Sequence, residues 1–337
     1  MSAPYPWLVP LWRHLLQNKS RPAQALLISG PKGVGKSALA HAWAQALLCE
    51  TPLADREGAG GEACGVCGAC HWFIAGTHPD YRRLTLQEKE NKEGEHKLAT
   101  AIDVEQARET IDFVQLSTYR AGRRVVVIEP ADTLNLAAAN ALLKVLEEPP
   151  LNTCFLLVSD QPRRLLPTIR SRCTRLDVGL PLQQDALIWL RDQQIEKPAE
   201  MLALAGGAPL VALNWRESGE LRLRAEVLQS LSRPRSLDPV GQAEAWKTLS
   251  PQVWHIFAYK WLCDVLAARL FCSTCFNPDF SEALFQLGKY ADLARLLALA
   301  KVHAEQGRYV MHPLNRQLQL ETWLIQYRHI FEEGKKL

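Results

Sequence analysis

The rhythm of apolar positions changes once along the chain, near Cys173. Before that point, short apolar runs at Ala25–Ile28, Arg124–Ile128 and Cys154–Val158, with a weaker one at Arg82–Leu86, alternate with stretches whose apolar residues recur at helical spacing. Runs of four to eight apolar residues interleaved with helical patterns predict a parallel sheet covered by helices on both faces. The polar run Gln87–Lys97 has no apolar period and reads as a surface loop. No strand is expected after Cys173. From Pro181 onward the pattern is helical, with breaks at Gly206-Gly207-Ala208-Pro209, Ser232-Arg233-Pro234 and Asn277-Pro278. Leu293, Leu296, Leu297 and Ala300 fall on one predicted helix face, and Leu318, Trp323, Leu324 and Tyr327 on another. An α/β domain followed by a small and then a larger helical domain is the expected order.

Composition narrows the class. With 337 residues, 47% of them hydrophobic, the chain can bury two or three cores and is not disordered. A net charge of +3 is too mild to argue for nucleic-acid binding by itself. The N-terminal Trp7, Pro10, Trp12 and Arg13 do not form a signal peptide, and the apolar stretch Ile256–Cys272 is interrupted by Lys260, Asp264 and Arg269, so no membrane association is expected. These features predict a cytoplasmic protein. Its nine cysteines are then expected to be reduced and are read for metal before disulfides.

A complete phosphate loop, Gly30-Pro31-Lys32-Gly33-Val34-Gly35-Lys36-Ser37, stands between the first apolar run and a helical pattern. Gly30, Gly33 and Gly35 let backbone N–H groups turn toward phosphate oxygens, Lys36 supplies a cation to the β and γ positions, and Ser37 can hold magnesium. ATP or ADP with Mg2+ is the predicted ligand. Hydrolysis also requires an acidic residue for the metal and, in many ATPases, a glutamate beside it that activates water. After Arg124–Ile128, Glu129 takes the first position, but Pro130 takes the second and cannot polarise water. Binding is expected; turnover is expected to be poor.

Cys64, Cys67 and Cys70 place three thiols at even spacing, with Gly65 and Gly68 letting the backbone curl between them. Cys49 is the favoured fourth ligand over His71, whose adjacency to Cys70 makes it harder to wrap around the same ion. Four thiolates predict a closed, structural Zn2+ site. Cys263, Cys272 and Cys275 lack a fourth ligand and read as core cysteines.

At Ala137-Ala138-Ala139-Asn140-Ala141-Leu142-Leu143-Lys144-Val145-Leu146-Glu147-Glu148-Pro149-Pro150 and Leu166-Pro167-Thr168-Ile169-Arg170-Ser171-Arg172-Cys173, the chain resembles bacterial clamp-loader subunits of the AAA+ class. The cysteine module, the degraded second strand, Gly76-Thr77-His78-Pro79-Asp80 and Asn315-Arg316 make it similar to the delta-prime type of DNA polymerase III. The resemblance implies an AAA+ P-loop domain over 1–177 with its zinc module at 49–70, a helical lid over 178–218 and a helical collar for oligomerisation over 219–337. It implies a stator in a hetero-pentameric ring with motor (gamma/tau) and delta subunits, which acts through the complex on the sliding clamp and primed DNA. By the same resemblance, Arg172 is an arginine finger for the neighbour's ATP. Leu210 stands where motor subunits carry a lid arginine, and either Ser159 or Asp160 takes the polar sensor position. An active ATPase motor using Glu129 and Asp132 is the alternative, and a zinc-dependent nucleic-acid module ranks lowest because the Cys64–Cys70 loop carries no Lys or Arg.

Overall fold

The computed structural model describes residues 4–53, 61–90, 96–119, 122–307 and 315–332. The chain divides into two compact units, Met1–Ala186 and Leu187–Leu337.

The first unit is built on a five-stranded parallel sheet. Its strands are β1 (Ala25–Ser29), β2 (Tyr81–Leu84), β5 (Arg124–Ile128), β6 (Thr153–Ser159) and β7 (Thr174–Asp177), in the order β2-β5-β6-β1-β7. The continuous apolar runs are needed because both faces are covered. Leu26, Ile28, Val125, Val127, Leu156 and Val158 face one core with the helices Val9–Gln17 and Lys36–Leu48. Ala25, Leu27, Val126, Ile128, Phe155 and Leu157 face the other, with Val104–Gln115, Leu136–Glu147 and Pro167–Arg172.

Two expectations fail here. β7 forms after Cys173, where no strand was expected, because a short edge strand needs little apolar sequence: only Leu176 of its four residues is buried. The run Gln87–Lys97 is not simply a loop, since β3 (Glu88–Glu90) and β4 (His96–Leu98) pair antiparallel, while 91–95 lies outside the described residues. The Gly76–Asp80 segment is fastened to the sheet by buried charge. Asp80 is paired with Arg124 at 3.2 Å and accepts the Tyr119 N–H, while Arg124 donates to the Ser117 carbonyl.

The second unit is helical. Its core gathers Trp254, Trp261, Leu262, Leu296, Leu320, Trp323, Leu324 and Tyr327. The fully buried Tyr327 hydroxyl accepts from Trp261 Nε1 at 2.8 Å and donates to the Leu231 carbonyl at 2.7 Å. The expected breaks appear as turns between helices, at Pro234–Ser236 and Pro278–Phe280. Two residues expected on helix faces, Leu297 and Leu318, are exposed. The cysteine reading is also corrected. The helix Pro251–Phe271 ends in a left-handed Cys272 with φ 51°, so Cys272 and Cys275 lie exposed in the following turn, and Cys263 is only partly buried. Among the described residues, no helix is long and apolar enough to cross a membrane.

Candidate functional site

The candidate nucleotide site lies at the carboxyl ends of three adjacent strands, the edge where open α/β sheets bind ligands. β1 delivers the phosphate loop, β5 delivers Glu129, and β6 delivers Ser159 and Asp160. The loop glycines have steric reasons to be glycine. A Cβ on Gly30 would stand 2.0 Å from the Val178 carbonyl oxygen, and one on Gly35, at φ 94°, would stand 2.5 Å from the Tyr5 ring. Tyr5 stacks on Trp7, whose indole N–H donates to the Val34 carbonyl at 2.9 Å, so the N-terminal turn braces the loop. Lys36 opens the helix Lys36–Leu48 and is buried, with its ammonium 2.5 Å from the Pro31 carbonyl oxygen and 2.6 Å from Asp160 Oδ1.

Glu129 accepts from His41 Nε2 at 3.1 Å and lies 3.5 Å from Arg83, while the Tyr81 hydroxyl meets His41 Nδ1 at 2.8 Å. Burial would raise the Glu129 carboxyl, but hydrogen bonds from His41 and Ser37 and the Arg83 charge outweigh it and hold it below its ordinary value. The site thus offers an ionised carboxylate beside Ser37, suited to a magnesium ion. His41, Tyr81 and Arg83 escaped the sequence reading. His41 had a signal, because it follows Ser37 by four residues and therefore shares its helix face.

Two further acids lie at this edge, and both make contacts within the chain. Pro130 follows Glu129 directly. Asp132 accepts the Ser159 hydroxyl at 2.7 Å and the Asp160 N–H at 3.1 Å, which commits it to shaping the turn after β6. Ser159 is fully buried in that contact, whereas the Asp160 carboxylate turns to Lys36.

Cys49 ends the helix Lys36–Leu48, and Cys67 caps the helix Gly68–Ile74. The sulfurs of Cys49, Cys64, Cys67 and Cys70 all lie within 4.8 Å of one another. The separations Cys49–Cys64, Cys49–Cys67 and Cys64–Cys70 are 3.6, 3.9 and 4.0 Å. A tetrahedron with Zn–S bonds of about 2.3 Å has edges of about 3.8 Å, so the four sulfurs fit one ion. N–H groups of Cys64, Val66, Cys67 and Cys70 point at these sulfurs, as negative thiolates require. The Thr51 hydroxyl and the Val66 amide hold the Cys64 thiol down to about 6, while burial pushes Cys70 up to about 12. His71 is outside the group and exposed, and Cys49 supplies its fourth sulfur.

Arg172 ends the helix Pro167–Arg172 and is not a strand-end residue, because the chain turns into β7 only at Thr174. Its Nε and one terminal nitrogen donate to Glu147 Oε2 at 2.9 and 2.7 Å, and the other donates to the Thr168 carbonyl at 3.1 Å. Glu147 remains exposed, and Arg172 partly so.

Comparison with known proteins gives a consistent family. The family described as "DNA polymerase III, delta subunit" matches residues 8–180. DNA polymerase III subunit delta' of Pseudomonas aeruginosa is 37% identical, across 97% of this chain and 98% of that protein. The subunit delta' of Escherichia coli K12 is 31% identical, across 98% and 97%. DNA polymerase III subunit tau of Bacillus subtilis is 33% identical over only 48% of this chain and 25% of its own length.

Proposed function

The chain belongs to the DNA polymerase III delta-prime family, and on that premise we propose that it is the non-motor stator of a clamp loader. In this reading it closes one end of a hetero-pentameric ring with motor and delta subunits, in the cytoplasm, and helps place a sliding clamp on primed DNA. Residues 1–177 form the AAA+ domain, 178–218 the lid and 219–337 the collar. Cys49, Cys64, Cys67 and Cys70 hold a structural zinc ion. Gly30, Gly33, Gly35, Lys36 and Ser37 hold the phosphates of ATP or ADP, with Glu129 toward magnesium.

One observation carries the stator reading against a motor. The acid that might have replaced the missing base, Asp132, is already bound to Ser159 and to the Asp160 amide. With Pro130 in the base position and Asp132 Oδ1 engaged in the turn after β6, the site is suited to hold nucleotide with little turnover. Chemistry is instead delivered outward. Arg172 meets the γ-phosphate held by a neighbouring motor, where a planar guanidinium stabilises charge on the transferring group.

Reconstitution with motor, delta, clamp and primed DNA tests this. Clamp loading should require the chain, and the isolated chain should hydrolyse ATP negligibly. Turnover of about one per second, within the range of ordinary enzymes, would return the motor reading if Lys36→Ala abolished it.

A further inference from the structure

The Lys36 ammonium is the buried cation of the phosphate loop, and it is not free. It is 3% exposed and makes a 2.6 Å ion pair with Asp160, supplemented by the Pro31 carbonyl at 2.5 Å. Those contacts use two of its three protons. We infer that Asp160 is a built-in competitor for phosphate: its carboxylate holds the position at Lys36 that a β- or γ-phosphate oxygen needs, and so sets the loop's affinity for nucleoside di- and triphosphates. This rests on the reading that the loop binds nucleotide.

Three features argue that the contact is built and not incidental. The turn carrying Asp160 is fixed by groups other than its carboxylate: its own N–H donates to Asp132 Oδ1, the Ser159 hydroxyl donates to the same oxygen, and the Gln161 N–H donates to the Ser159 hydroxyl. That turn is joined to the loop itself, since the Gly30 N–H donates to the Ser159 carbonyl at 3.3 Å. The chemistry of the group is also wrong for a phosphate sensor. An ionised carboxylate only accepts hydrogen bonds, so it cannot donate to a phosphate oxygen and repels one at short range. Ser159 has a hydroxyl to donate, but it is buried against Asp132. Neither residue at the sensor position therefore greets a phosphate with a proton, and one of them opposes it.

The size of the effect follows from exposure. A charge-assisted hydrogen bond to a fully buried partner would shift an equilibrium by ten- to a hundredfold. Asp160 is 37% exposed, so solvent screening brings the expectation to about tenfold.

The experiment compares the full-length protein with Asp160→Asn and Asp160→Ala, using Mg-ADP, pyrophosphate and adenosine as probes in calorimetric titrations. Both variants should bind ADP and pyrophosphate about tenfold more tightly than the parent, with adenosine unaffected, because the competitor acts on phosphate alone. Asp160→Ala should also melt earlier without ligand and regain the difference with saturating pyrophosphate, which resupplies the anion to Lys36. In a Lys36→Met background the gain should vanish. Equal or weaker binding of pyrophosphate by both variants, with measurable binding by the parent, overturns the competitor role and leaves the nucleotide reading standing. No binding by the parent or by either variant at millimolar ligand overturns the nucleotide reading, and this inference with it.

Discussion

Replacing Arg172 with alanine separates what this side chain does for its own fold from what it does for a neighbour. Within the chain, its guanidinium holds Glu147 at 2.7 Å, with the two side chains 29% and 57% exposed. A pair that open to water contributes at most about 1 kcal/mol. For a unit of this size, such a loss lowers the melting temperature by about 2–4 °C. On a neighbour's transferring phosphate, an arginine finger accounts for about 10³ to 10⁵ in rate, which is about 4–7 kcal/mol of barrier. The two roles thus differ severalfold in energy. Arg172→Ala should leave the isolated chain folded and its metal content unchanged, while the assembled complex loses most ATP turnover at this one interface. The remaining motor sites should continue to turn over. Arg172→Lys should rescue poorly, because an ammonium lacks the fork that meets two oxygens at once. Glu147→Gln should retain turnover, since it only loosens the contact the finger must leave. The assay is steady-state, DNA- and clamp-stimulated ATPase together with clamp-loading rate. If the Arg172→Ala complex matches wild type in both across nucleotide concentrations, the trans-acting role is refuted.

Three further outcomes are expected. Metal analysis of purified protein should find about one zinc ion per chain, lost in the Cys64→Ser, Cys67→Ser double variant; unchanged zinc in that variant would assign the metal elsewhere. Tyr327→Phe should destabilise the C-terminal unit by about 2–4 kcal/mol in chemical denaturation, because it strips a partner from both the Trp261 N–H and the Leu231 carbonyl in a dry core; a loss under about 0.5 kcal/mol, the level of a neutral surface change, would contradict that accounting. Burial, then His303 and Arg316, lowers His255 to about 4, so the unfolded chain takes up this proton first and stability should fall as pH drops from about 6.5 toward 4. His255→Gln should flatten that slope, and an unaltered profile would exclude His255 as its source.

The sheet was legible where burial on both faces forces a continuous apolar run. β1, β5 and β6 carry such runs and lie at the centre of the sheet. β7 carries Thr174, Arg175, Leu176 and Asp177, and no local pattern marks it. Its place is set by pairing with β1, by the Val178 N–H donating to the Ser29 carbonyl, and by the Ser29 hydroxyl donating to Asp177 at 2.6 Å. The Ser29–Asp177 contact joins residues 148 positions apart, most of the length of the first unit, and sequence periodicity does not see it. The same limit explains Leu297 and Leu318, which stand at helix-face spacing yet are exposed, since spacing gives the angle between residues on a helix but not which side meets the core. The cysteine cluster was legible for the opposite reason: three of its sulfurs sit within seven residues, and the fourth ends the helix that the phosphate loop begins.

What spacing could not reveal at the nucleotide site is how its acids are employed. Glu129, Asp132 and Asp160 are all near the loop in sequence logic, and each could be assigned to metal, base or sensor. Their hydrogen bonds divide them. Glu129 is supported by His41, Ser37 and Arg83 and stays ionised beside the loop. Asp132 is consumed by the turn after β6, and Asp160 is consumed by Lys36. Two of these three are thus engaged within the chain itself. Arg172 lies on its own helix, on Glu147 and the Thr168 carbonyl, and the role proposed for it is toward a neighbour's ATP. Under the proposed stator reading, a loop that would hold nucleotide with little turnover and a partly exposed arginine suit a subunit whose nucleotide contacts organise its own domain while its chemistry serves a neighbour.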